Sequence, residues 1–249
     1  GKPSHIDEVV ESYRSYLGVV HPEHFPRYER LLKNDQDAAR FEAAVFSIMR
    51  TIGFDVSIYE DPSSGGPDFL CEGKYGRGRF VLEATHLTPE SVSRESGLPD
   101  QLEKGAQWFS LITEKLRTTV SRKASQLSAI EHPRVLAVGS YHLHSPVILN
   151  RHAAQVLLTS EPRLVVPIGD SNAEVYEKTD LRDSVFCRMS EEGLEACRRS
   201  VSAILLVSCG ASCCDFWGIL PPDPAVPFDY RTLPEVPFVR LRHWPPKGN

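Results

Sequence analysis

Apolar residues recur at helical spacing over His5–Leu17 (Ile6, Val9, Val10, Tyr13, Leu17), and the pattern predicts a helix that ends at Gly18. A shorter helix is expected over Pro22–Leu32. The clearest periodicity follows. Phe41, Ala44, Val45, Ile48, Met49 and Ile52 form one stripe, Asp35 or Asp37 can cap it, and Gly53 stops it. The period then changes to two: Phe54, Val56 and Ile58 alternate like a half-buried strand. Asp61–Gly66 reads as a loop, Pro67–Cys71 as a short strand, Gly73–Gly78 as a hairpin connection and Arg79–Thr85 as the next strand. His86–Gly105 carries no pattern and is expected to be a loop. Gln107–Leu127 predicts a long helix with Trp108, Ile112, Leu116, Val120, Ala124 and Leu127 on one face. Strands are expected at Arg134–Tyr141, Leu164–Ile168 and Val201–Ser208, and helices at His152–Leu158 and Glu191–Arg198.

Consecutive strands early in the chain imply antiparallel pairing, and the later alternation implies crossovers and a parallel part. The expected fold class is α/β, a mixed β-sheet flanked by helices. Residues 1–34 form an N-terminal helical elaboration and 35–217 the α/β domain. Eight of the 19 prolines fall after residue 217, so 218–249 is expected to wrap the same domain as extended chain.

Composition narrows the function classes. The chain has 249 residues and no apolar run near the ~18–20 residues of a membrane span. The start lacks the apolar centre of a signal peptide, and the six cysteines therefore read as reduced thiols of a cytoplasmic protein. A net charge of −5 gives no global attraction to nucleic acid, so such binding must come from local patches.

Three acids stand out. Asp68 follows Gly65-Gly66-Pro67 at a strand mouth, and Glu83 interrupts the apolar strand Phe80-Val81-Leu82-Glu83-Ala84-Thr85. A carboxylate there is costly unless paired or bound to a metal. If the two strands are adjacent, Asp68 and Glu83 converge at one edge of the sheet. Glu42 borders the apolar stripe of its helix. Taken singly, each has a plain alternative: a turn residue, a salt-bridged strand residue, a solvated helix residue. Together they make an oxygen-ligand site for Mg²⁺ or Mn²⁺.

Helix-borne Glu42, then Pro67-Asp68, then Glu83-Ala84-Thr85 in a following strand, resembles the PD-(D/E)XK nuclease superfamily, the restriction-endonuclease-like fold. The resemblance spans roughly Asp35 to Tyr141. It implies a mixed four-stranded core sheet between helices and metal-dependent cleavage of phosphodiesters. Asp68, Glu83 and the carbonyl of Ala84 would hold the ion, and Glu42 a second ion or a water on it. The family's lysine belongs two residues after the second acid, where this chain has Thr85. Some members carry the lysine on the next helix, and Lys123, with Gln126 in support, is the candidate; Lys115 is weaker. The expected partner is nucleic acid, most simply DNA, in DNA processing or defence, and a homodimer would suit double-strand cutting. A second reading is an inactive nuclease-like subunit that binds nucleic acid or assembles with a partner, and a third is an unrelated α/β domain with a structural carboxylate cluster.

Other groupings are less specific. Lys74, Arg77 and Arg79 in the hairpin, and His86 beside Thr85, are candidate phosphate contacts, with Arg117, Arg122, Arg198 and Arg199 as further local positive charge. His142-x-His144 could both face one way. Cys209-x3-Cys213-Cys214 lacks the paired spacing of a structural zinc site, so its cysteines read as small buried hydrophobes.

Overall fold

A computed structural model describes residues 5–63, 65–101, 109–127, 131–166, 176–210 and 214–246. Its helices and strands, in chain order, are α1 (His5–Val20), α2 (Phe25–Asn34), α3 (Gln36–Thr51), β1 (Phe54–Ile58), β2 (Phe69–Gly73), β3 (Arg79–His86), α4 (Pro89–Ser96), α5 (Thr113–Gln126), β4 (Arg134–Ser140), α6 (Ser145–Ile148), α7 (Arg151–Leu158), β5 (Arg163–Val165), β6 (Tyr176–Lys178), β7 (Cys187–Ser190), β8 (Gly193–Ala196), β9 (Ala203–Cys209), β10 (Cys214–Leu220) and β11 (Phe238–Arg240).

Seven strands form one mixed sheet in the order β1-β2-β3-β4-β9-β10-β11. The first three run as an antiparallel meander, β3 and β4 and then β4 and β9 pair in parallel, and β10 returns antiparallel to β9. The central strands are apolar on both faces because both faces are covered. In β4, Val135 and Ala137 pack with α1, α2 and α3, whereas Leu136 and Val138 pack with α5 and α7.

Several sequence expectations need correction. α1 continues through Gly18 to Val20. The patternless stretch after His86 contains α4, whose Thr88 caps it by accepting from the Ser91 N–H at 3.2 Å. The expected helix at Glu191–Arg198 is the second strand of a hairpin. Met189 pairs with Leu194 and Cys187 with Ala196, and the Glu191-Glu192 pair lies in the turn. The strands β6, β7, β10 and β11 lie outside the sequence expectations, and β11 brings the proline-rich segment into the main sheet alongside β10. The expected start of the long helix, at Gln107 and Trp108, and the expected strand end at Ile168 lie outside the described residues; α5 itself begins at Thr113. Among the described residues no helix is long and apolar enough to cross a membrane.

Candidate metal and nuclease site

The site lies where the β1–β2 pairing ends. Phe69 opposite Leu82 is the last register pair of β2 with β3, so residues 83–86 of β3 extend past their neighbour. The sequence causes this. Pro67 has no N–H to donate, and Gly65 and Gly66 adopt φ of 76° and 136°, which side-chain-bearing residues rarely reach. The Asp68 carboxylate takes the place of the missing ladder partner: its Oδ2 accepts from the Ala84 N–H at 2.7 Å. The Tyr59 N–H donates to the Asp68 carbonyl at 3.0 Å and fixes its backbone. In an extended strand the N–H and C=O of one residue point the same way, so the Ala84 carbonyl also faces this gap.

Glu83 pairs with Leu136 in register and shares its face, the one covered by α5. From α5, the Lys123 Nζ donates to Glu83 Oε1 in a short ion pair, with Lys123 19% and Glu83 9% exposed at the side chain. Lys123 reaches it because Leu116, Val120 and Leu127 anchor that face of α5 in the core. Thr85, on the same face, is buried, and its hydroxyl has no hydrogen-bond partner among the described residues.

Two elements outside the expected core complete the site. From α1, the Tyr13 hydroxyl donates to Glu42 Oε1 at 3.0 Å. From α2, the Arg27 guanidinium spans three carboxylates: Glu60 at 3.1 Å, Glu42 at 3.5 Å and Asp68 at 3.7 Å. Sequence reasoning missed Arg27, Tyr13 and Glu60. Tyr13 counted only as an apolar stripe member. Glu60 continues the inward alternation of Phe54, Val56 and Ile58, which was the available signal. For Arg27 there was none, since its contacts depend on how α2 docks.

Four carboxylates (Glu42, Glu60, Asp68, Glu83) thus face two cations (Arg27, Lys123), an excess of two negative charges when all are ionised. Burial is the main cause that pushes the Asp68 carboxyl well above the usual range, and repulsion from Glu83 and Glu42 adds to it. Glu42 and Glu83 are also raised by burial, against the opposing pull of Arg27 and Lys123 respectively. Burial opposes the charge on Arg27, but the carboxylates outweigh it and hold its pKa up. The Tyr13 hydroxyl is pushed up by burial and then by the Glu42 charge, so it stays a donor.

The donor set is oxygen throughout, the excess charge is that of one divalent cation, and Thr85 supplies an unpartnered buried hydroxyl. These features fit Mg²⁺ or Mn²⁺. Among the described residues no three His, Cys, Asp or Glu side chains form a ready cage. An ion here would take few side-chain ligands and complete its shell with the Ala84 carbonyl, water and substrate oxygens, as Mg²⁺ usually does. With Arg27 in place, the cavity beside Glu42, Glu60 and Asp68 measures about 10 Å³, scarcely one water.

The remaining candidates are not brought to the acids. Gln126 is exposed at the last position of α5, and Lys115 makes no contact with them. The hairpin of Lys74, Arg77 and Arg79 lies at the other end of β2, about 17 Å away at ~3.3 Å per residue. Arg77 is spent there on the Ile52 carbonyl and Glu235, and Arg79 on Glu72. His86 packs between Phe41 and Tyr141, its ring nitrogens buried without partners and its pKa lowered by burial. His142 is bound to Ser93 and the Leu98 carbonyl rather than aimed at an ion. Arg117, Arg122 and Arg198 line a separate groove of about 990 Å³ with Arg182 and Arg188, which pair with Asp180 and Glu195. Arg199 pairs with Asp223.

Comparison with protein-family models, curated proteins and solved structures gives no significant match.

Proposed function

We propose that this chain is a Mg²⁺- or Mn²⁺-dependent nuclease of the PD-(D/E)XK type that hydrolyses phosphodiester bonds in DNA, with its lysine carried on α5. In this reading β1 to β4, with α3 and α5, are the restriction-endonuclease-like core. The observation that carries it is the ion pair between Lys123 and Glu83, which returns a cation to the place Thr85 leaves without one.

Asp68, Glu83 and the Ala84 carbonyl would hold the ion, with Glu42 behind them. When bound, the ion supplies a Lewis acid that polarises a phosphoryl oxygen and acidifies a water. The protein does the rest. Lys123 stabilises charge developing at the phosphorus centre and orients the attacking water. Tyr13 fixes Glu42 in its rotamer, and Asp68 holds the β3 edge open through Ala84. Arg27 is the movable wall of the site: its side chain is 41% exposed, and a substrate phosphate offers its guanidinium a bidentate partner in exchange for the carboxylates.

The test is cleavage of plasmid, single-stranded DNA and RNA with Mg²⁺ or Mn²⁺, comparing wild type with Asp68→Ala and Lys123→Ala. The expected result is metal-dependent DNA cutting that both substitutions abolish. Cutting that survives Asp68→Ala refutes this site. No cutting of any substrate by wild type replaces the nuclease with a binding subunit.

A further inference from the structure

Cys209 ends β9 and Cys214 opens β10, and the antiparallel register sets them directly opposite each other. Their Sγ atoms are 3.1 Å apart. Directly opposed antiparallel residues have Cα atoms roughly 4.5–5.5 Å apart, within the roughly 4.4–6.8 Å that disulfides span. The sulfurs need approach by only about 1 Å to bond at ~2.05 Å, so the backbone pairing can stay as it is. The two thiols differ in access: Cys209 is buried and Cys214 half-buried. The Tyr141 hydroxyl is buried without a hydrogen-bond partner among the described residues, and burial first, then the neighbouring Cys209 and Cys214, raise its pKa. The other described cysteines are not so arranged. Cys71 is buried in β2, and Cys187 opposes Ala196 rather than Cys197.

We infer that Cys209 and Cys214 are a redox-active dithiol that a small-molecule disulfide, such as glutathione disulfide, converts into a cross-strand disulfide. The reaction proceeds in two exchanges. The Cys214 thiolate attacks one sulfur of glutathione disulfide, forms a mixed disulfide and expels one glutathione thiolate. The Cys209 sulfur, already in contact, then attacks Cys214 Sγ, loses its proton and expels the second glutathione. Two protein thiols and one glutathione disulfide become one protein disulfide and two glutathiones; the protein gives up two electrons and two protons. The order follows from access and from hydrogen bonding. The contact between the two sulfurs lowers the pKa of Cys214 and raises that of Cys209. The site is separate from the carboxylate cluster and does not depend on the nuclease reading.

Mass spectrometry reads this directly. The intact protein is incubated with excess glutathione disulfide, quenched in acid, denatured, alkylated with iodoacetamide and digested with trypsin. The peptide Ser200–Arg231 carries Cys209, Cys213 and Cys214 and no other cysteine. After oxidation the wild-type peptide should carry one alkyl group, and three if dithiothreitol is added first. Cys213→Ser should carry none after oxidation, and Cys209→Ser one alkyl group together with one glutathione, because the mixed disulfide at Cys214 then has no resolving thiol. Three groups on the oxidised wild type would overturn the inference. So would two on oxidised Cys213→Ser, or none on oxidised Cys209→Ser, since either makes Cys213 the partner.

Discussion

Removing Lys123 should cost more stability than removing the charge of its partner, and the cost should depend on pH. Lys123→Met leaves Glu83 buried without its nearest cation, whereas Glu83→Gln leaves an ammonium that is 19% exposed and can reach water along its flexible stem. Breaking a buried pair by deleting one partner costs ~3–5 kcal/mol. Partial exposure of Lys123 and the more distant charge of Arg27 lower that to about 2–3 kcal/mol for Lys123→Met, and to about 1 kcal/mol for Glu83→Gln. The sign of the pH effect follows from Glu83. Its pKa in the folded protein is raised, with Lys123 opposing the rise, so deleting Lys123 raises it further. Above the unfolded value the folded state then binds more protons than the unfolded state, and stability falls as pH rises through that window. The penalty of Lys123→Met should accordingly shrink towards pH 5 and grow towards pH 8. Urea unfolding of both variants and the double variant at the two pH values measures this. Equal penalties for the two single variants, or a Lys123→Met penalty that does not change with pH, would refute the pairing as the reason Lys123 is held there.

Three further outcomes are expected. Asp68→Asn should abolish cleavage yet raise the melting temperature by a few degrees, corresponding to ~1 kcal/mol, because the amide still accepts from Ala84 while the repelling charge is gone; a lower melting temperature contradicts this. Tyr13→Phe should cost about 2 kcal/mol in thermal or urea unfolding, the value of a hydrogen bond to a buried carboxylate, and a loss under ~0.5 kcal/mol would mean Glu42 finds another donor. Gly139→Ala should destabilise by about 1–3 kcal/mol, since an added Cβ would lie 2.3 Å from the Phe41 ring and 2.7 Å from the Val207 carbonyl; the companion variant Phe41→Leu with Gly139→Ala should recover part of it.

Much of this architecture can be read from local pattern. The helical stripe of α3, the alternation of β1, the proline before Asp68 and the acid inside β3 each follow from spacing and backbone chemistry, and they place Asp68 and Glu83 on neighbouring strands. The same local reasoning misplaced the β7–β8 hairpin, because two glutamates before a glycine suit a helix end as readily as a turn. It also passed over β10 and β11, whose strand character comes from pairing with β9 and with each other, not from an alternation of their own.

The amino-acid sequence by itself therefore determined that Asp68 and Glu83 stand at the edge of the sheet, since a strand's period and a proline's missing donor act within a few residues. Only the tertiary structure decided what surrounds them. Lys123 meets Glu83 across 40 positions of sequence, and Tyr13 and Arg27 reach Glu42 across 29 and 15. Such contacts are fixed by how helices dock on the two faces of the sheet, which burial of the whole apolar surface sets and no local pattern encodes.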